Sequence, residues 1–332
     1  MPLSTDIFSE FSKLNILIVG DVMIDRYWSG RVQRISPEAP VPIVDLEHTE
    51  DRLGGAANVA LNIKSLSATP YLFSVIGNDT EAPAFLKLMS ENNLFSGGIL
   101  SDTERKTTIK TRIVSGAQQL LRIDSENTHD IGTDTEVKLI ARLRDFLDTT
   151  VIHAVILQDY NKGVLTRKSI HAILHETRIR NIPIAVDPKK KNFFEYRNVA
   201  LFKPNLKEIR EALPFPVSSE LSSLQSAANY LRQQLAQTGT MITLSEKGIF
   251  SDHADGQSFI ENAVPRNITD VSGAGDTVIS VAALCLALKT DISLMTHLAN
   301  LAGGRVCESS GVVPIGLREL REEYFKSGVS RQ

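Results

Sequence analysis

Cysteine is nearly absent: Cys285 and Cys307 are the only two in 332 residues. The first lies inside an apolar helical pattern, so no disulfide framework is expected. Long apolar runs are missing too. The longest, 278–288, is about half of the roughly 20 residues that span a bilayer. There is little net charge, since 36 Lys and Arg against 39 Asp and Glu leave -3. That supplies no long-range attraction for nucleic acid or an anionic membrane. The opening MPLSTDIFSEFSKL puts Asp6 and Glu10 where a secretory signal needs a basic start and an apolar run. The expectation is a cytoplasmic enzyme or binding protein, with no nucleic-acid and no membrane partner.

Several chemical signatures are missing as well. No G-x-G-x-x-G occurs, which removes the main support for a dinucleotide oxidoreductase. GVLTRKS, 163–169, has Lys168 where a phosphate-binding loop needs its second glycine. His171 and His175 are spaced i, i+4, but Ala172 stands where a zinc protease needs Glu. No G-x-S-x-G elbow is present.

What is there is an alternation. LNILIVG, PYLFSVIG, HAVILQDY, IPIAVDP, ALFKPN and MITLSEKG read as strands buried on both faces. Helical periods at 58–66, 82–89, 136–147, 168–177 and 221–235 lie between them. This argues for an α/β fold, a doubly wound and mainly parallel sheet flanked by helices, with its functional edge at the carboxyl ends of the strands. Two β segments, about 27–52 and 97–124, are too polar for a buried sheet and are expected to form a small lid. No repeat or low-complexity linker appears, so residues 1–332 are expected to form one domain plus lid.

The most informative stretch is DVSGAGDT, from Asp270. Gly273, Ala274 and Gly275 run into Asp276 and then into a long apolar helical pattern. Unpaired N–H groups behind small residues can hold an anion, and the carboxylate could take a proton from an attacking hydroxyl. Alternatively the acid only complements the helix dipole and the glycines only make a turn. A second turn, RLGGAANVALNI, offers Gly54 and Gly55 for close backbone approach and Asn58 as donor and acceptor for a sugar hydroxyl.

In this order and separation the two turns resemble the signatures of the ribokinase-like sugar kinases, the phosphofructokinase B family, over essentially the whole chain. The resemblance implies ATP as phosphoryl donor, Mg²⁺, Asp276 as catalytic base and Gly273, Ala274 and Gly275 as anion hole. KPNLKE resembles the family's Asn-x-x-Glu motif, which makes Asn205 and Glu208 the metal and phosphate residues; a helix cap with a first-turn Glu is the other reading. The resemblance places Thr243, Ser245, Glu246, Lys247 and Gly248 of TLSEKG beside the nucleotide, with Ser272, Asn300 and Gly303. Asp25 in GDVMID matches the family's sugar-hydroxyl ligand.

Within that family the segment RISPEAPVP, Arg34–Pro42, and QQLLRIDSE resemble the kinases that act on a bacterial heptose 7-phosphate. A substrate bearing a phosphate implies cations at the far end of the pocket, for which Arg34, Lys110, Arg112, Arg122 and Lys189 are candidates. The resemblance also implies a homodimer through the lid. No H-x-G-H nucleotidyltransferase signature is present, so the kinase step alone is expected, without an adenylyltransferase domain. Three departures stand out: Gly116 and Ala117 in VSGAQQ, the CESSGVVPI loop, and Gln158 where a small residue is commoner. A kinase for another sugar and a catalytically silent sugar-binding regulator remain as rival expectations.

Overall fold

The computed structural model describes residues 7–116, 118–309 and 311–328. Ala117 of the lid and Ser310 of the CESSGVVPI loop lie outside the described residues.

The six apolar runs form the strands Asn15–Gly20, Thr69–Gly77, Ala154–Gln158, Ile184–Asp187, Leu201–Phe202 and Gly239–Thr243. They pair in parallel throughout. With Ile99–Asp102 at one edge and the antiparallel strands Ile249–His253 and Ser258–Glu261 at the other they make a nine-stranded sheet. Helices cover both faces. Ile16 and Ile18 pack with the core of helices Ala56–Ser65 and Ala274–Ala287, while Leu17 and Val19 pack with helices Thr133–Thr149 and Arg167–Ile179. Burial on both sides is why these strands read as unbroken apolar runs and not as alternation. Each such buried Ile or Leu contributes ~2 kcal/mol. Helix Ala274–Ala287 is buried from Asp276 through Cys285, between the sheet and two neighbouring helices, and so has no polar stripe.

Strand Asn15–Gly20 has Thr69–Gly77 on one side and Ala154–Gln158 on the other. The winding reverses there, which opens a crevice at the carboxyl ends, next to Gly20 and Gln158.

A separate four-stranded sheet stands over that crevice, in the order Pro42–Gly55, Val22–Ile35, Ile109–Ser115, Gln118–Ser125. Its limits differ from those expected. The first segment starts at Val22, because Val22–Ile24 and Leu53–Gly55 are buried against the core; polarity reveals only the outer part of these strands. The second segment starts at Ile109, because Ile99–Asp102 pairs with Ser74–Gly77 in the main sheet. Register separates two faces of this sheet: Asp25 and Tyr27 lie opposite Arg52, Lys110 and Arg112, while Trp28 lies opposite Ile113 and Ile113 opposite Leu121. One face is charged; the other is mainly apolar, with the Arg26–Asp51 ion pair at its inner end. Among the described residues no helix is long and apolar enough to cross a membrane.

Candidate active site

Gly273 adopts the left-handed conformation, φ 80°, and helix Ala274–Ala287 begins immediately after it. A β-carbon at 273 would come within 3.1 Å of Asn58 Nδ2 and Val312 Cγ1, so a larger residue is opposed by both backbone and neighbours. The Thr277 N–H already donates to Gly273 O at 3.0 Å, whereas the N–H groups of Gly275 and Asp276 meet no carbonyl among the described residues. Free donors at the positive end of a 14-residue helix can hold an anion. Lys203 adds a cation there: its Nζ would be 3.7 Å from a β-carbon at Gly275.

Asp276 is 4% exposed. Its Oδ2 accepts from Asn58 Nδ2 at 2.7 Å, and its Oδ1 accepts from Tyr160 Oη at 2.7 Å and Gln158 Nε2 at 3.1 Å. Burial pushes its pKa up to about 6, against the hydrogen bonds from Asn58 and Tyr160; Asp187 nearby raises it further and Lys203 opposes. A carboxylate of this kind is ionised at neutral pH yet basic enough to take a proton. Asp187 is itself paired with Lys203 at 2.9 Å and accepts from Gln158 Nε2 at 3.2 Å.

Under the lid sheet, Asp25 is buried and takes the Arg112 guanidinium on Oδ1 at 2.5 Å. Gly54 is required by this carboxylate, since a β-carbon there would stand 2.2 Å from Asp25 Oδ2. Gly55, at φ 60°, would place one 2.5 Å from Asp21 O. The guanidinium groups of Arg52 and Arg112 lie over the Tyr27 ring, 5.0 and 5.3 Å from its centroid. Other expected cations are less available. Lys110 is paired with Asp124 and Glu126, both at 3.0 Å, and Arg122 with Asp124 at 2.9 Å. Arg34 is exposed on the outer part of the lid.

Lys189, expected at the far end of the pocket, is instead near Asp276. It bonds Glu208 and lies 5.6 Å from the Tyr160 ring centroid. Asn205 and Glu208 form a reciprocal cap: Glu208 N donates to Asn205 Oδ1 at 2.9 Å and Asn205 N to Glu208 Oε2 at 2.8 Å. With Lys189 on its other oxygen, each Glu208 oxygen already accepts one hydrogen bond and keeps one lone-pair direction. Among the described residues no three His, Cys, Asp or Glu side chains converge as a metal cage. The pair therefore suits a metal that arrives on phosphates and keeps its water shell.

Among the residues expected beside the nucleotide, Thr243 bridges to Asn205, and Ser245–Lys247 make one 3₁₀ turn closed by Gly248 at φ 92°. Glu246 and Lys247 line a groove of about 460 Å³ with Leu244, Ile260 and Asn262. Asn300 holds this wall by donating to Asn262 O at 2.8 Å. Gly303 is a packing position, where a β-carbon would meet Val278 Cγ2 at 2.7 Å. Ser272 donates its N–H to Asp270 Oδ1 at 2.9 Å and shapes the turn before the helix.

Sequence reasoning missed Asp21, Tyr160, Asp187 and Lys203. All four sit at or just past the end of an apolar run, in VGD, LQDY, AVD and LFK, and that position was the available signal. Asp21 is buried and accepts the N–H groups of Tyr160, Lys162 and Val164 at 2.8, 3.0 and 3.0 Å, which fixes the loop carrying Tyr160.

Residues 13–317 match the pfkB family of carbohydrate kinases. The bifunctional protein HldE of Pseudomonas savastanoi pv. phaseolicola is 40% identical over 328 residues, 96% of this chain and 66% of that protein. HldE of Geobacter metallireducens is 37% identical over 314 residues, 95% and 64% respectively. The chain thus spans just under two thirds of the length of these relatives. Two solved structures share the fold: Escherichia coli phosphofructokinase-2 in complex with potassium, with a TM-score of 0.77 at 15% identity over 95% of this chain and 99% of that one, and Arabidopsis thaliana ribokinase complexed with ribose and ATP, with a TM-score of 0.73 at 14% over 93% and 98%. With this match over most of its length, the chain belongs to the pfkB family and is an ATP-dependent carbohydrate kinase.

Proposed function

We propose that this kinase phosphorylates the anomeric hydroxyl of D-glycero-β-D-manno-heptose 7-phosphate to give the 1,7-bisphosphate, a step towards ADP-heptose for lipopolysaccharide. The observation that carries the chemistry is Asp276, buried beside free helix N–H groups with its pKa pushed up to about 6. The heptose assignment is supported by the RISPEAPVP resemblance and the similarity to the HldE proteins.

The substrate O1–H gives its proton to Asp276 as the O1–P bond forms and the bond from the γ-phosphorus to the bridging oxygen of ATP breaks, releasing ADP. The amides of Gly275 and Asp276 and the Lys203 ammonium face the charge that develops on the transferred group. Asp25 and Asn58 orient the sugar, and Arg112 reaches it from the lid. Mg²⁺, held through water by Asn205 and Glu208, would neutralise phosphate charge. The lid sheet excludes water from the phosphoryl group. Its apolar face exposes Leu46, Leu121 and Ile123 at 55%, 53% and 46%, a surface suited to a second copy; sedimentation at micromolar concentration should give a dimer.

ADP release with Mg-ATP and heptose 7-phosphate, fructose 6-phosphate, ribose or no sugar tests the assignment. Turnover confined to the heptose phosphate is expected. Turnover with another sugar would keep the role of Asp276 and overturn the substrate, and silence across the panel would favour a sugar-binding regulator.

A further inference from the structure

Asp276 has two carboxylate oxygens, and its neighbours treat them unequally. Oδ1 accepts from Tyr160 Oη at 2.7 Å and from Gln158 Nε2 at 3.1 Å, while Oδ2 accepts only from Asn58 Nδ2 at 2.7 Å. A carboxylate oxygen has two lone-pair directions, so Oδ1 is filled and Oδ2 keeps one open. Oδ2 is the oxygen held by Asn58, which follows the Gly54–Gly55 turn where the sugar is expected.

We propose that Tyr160, assisted by Gln158, is the positioning residue of the base: by occupying Oδ1 it fixes the carboxylate plane and leaves Oδ2 as the atom that takes the substrate proton. This rests on the reading of Asp276 as the base. Two features suit Tyr160 to the task. Its backbone is pinned by the buried Asp21, through the N–H bond of 2.8 Å and those of Lys162 and Val164. Its phenol is held well above its ordinary pKa, mainly by burial and then by Asp276, so it stays a donor throughout the working range. Gln158 cannot turn its amide over, since Nε2 lies between the carboxylates of Asp276 and Asp187; its Oε1 is buried without a partner as a result. The charged groups facing the base are Asp187 and Lys203, with Lys189 beyond them. None of these three supplies the Tyr160 donor: Asp187 only accepts, and among the described residues the ion pairs of Lys189 and Lys203 go to Glu208 and Asp187, not to Asp276.

Removing the phenol hydroxyl should make Asp276 hold its proton more tightly and should let its plane turn. The test is the pH profile of kcat/KM for Tyr160→Phe and Gln158→Leu, with whichever sugar of the panel turns over. For Tyr160→Phe the acidic limb should move up by roughly one pH unit, so that activity falls about fivefold at pH 6 and stays within about threefold of wild type at pH 9, with the KM for Mg-ATP unchanged within about twofold. Gln158→Leu should move it the same way by less. A profile lowered by one factor at every pH, or left where it was, overturns the proposal. Carbon-13 titration of the Asp276 carboxyl in the sugar-free protein reads the same shift without turnover, and an unmoved carboxyl in Tyr160→Phe also overturns it. Asp276→Asn separates the two readings. If that variant is silent and the Tyr160→Phe profile is parallel to wild type, only the positioning role fails; if it turns over normally, the base assignment fails.

Discussion

Replacing Asp276 by Asn removes a buried charge, and the consequence for stability can be worked out separately from the consequence for turnover. The carboxyl is raised from 3.8 to about 6, mainly by burial. A carboxyl that binds its proton more tightly in the folded chain stabilises the fold while protonated. That contribution is complete below the unfolded value of 3.8 and is lost as pH rises through about 6. A shift of roughly two units at ~1.4 kcal/mol each makes the ionised base cost about 3 kcal/mol of stability. About half of this develops between pH 5 and pH 8. The amide of Asp276→Asn does not titrate, so it escapes this loss. It brings a penalty of its own, because its NH₂ must face one of the donors now aimed at the carboxylate, on the order of 1–3 kcal/mol. That penalty is fixed, whereas the charge term varies with pH, so the measurement that matters is the slope. Urea unfolding at pH 5, 6, 7 and 8 should show the variant gaining about 1–2 kcal/mol on wild type across the series. Asp159, also pushed up to about 6 by burial, is present in both proteins and cancels in the difference. Parallel pH dependence would refute the reasoning, since Asp276 would then titrate alike in the folded and unfolded chains.

Two further substitutions test the ends of the crevice. Gly54→Ala would put a β-carbon 2.2 Å from Asp25 Oδ2 and 2.8 Å from Met23 Cγ, so Asp25 must swing off Arg112; the sugar KM should rise about tenfold or more while the KM for Mg-ATP holds, and an unmoved sugar KM would remove Asp25 from the sugar site. Glu208→Ala should cost about 1 kcal/mol through the lost reciprocal cap, lowering Tm by a few degrees, and should also raise the KM for Mg-ATP as Lys189 loses its carboxylate. A fall in Tm with no change in that KM would reduce Glu208 to a helix cap.

The strands, the helices between them and the two glycine turns were legible because each has a local signature. An unbroken apolar run means two buried faces, and small residues before a helix mean an open N-terminus, whatever lies elsewhere in the chain. Asn58 and Asp276 could be nominated in this way although 218 positions separate them. Tyr160, Asp187 and Lys203 have no such signature, being single polar residues after apolar runs; only parallel pairing brings the ends of those strands to one edge. The pairing of two lid cations was hidden for a related reason. A sequence shows that Lys110 and Arg122 are charged but not that Asp124 and Glu126 already hold them. Arg52 and Glu50 carry no local signature either, yet the register sets them opposite Asp25 and Tyr27, within the charged face above the crevice. The base itself shows why composition could not reach the chemistry: the same aspartate on an exposed helix start would titrate near its ordinary value, and its elevation to about 6 comes first from burial, which the fold alone supplies.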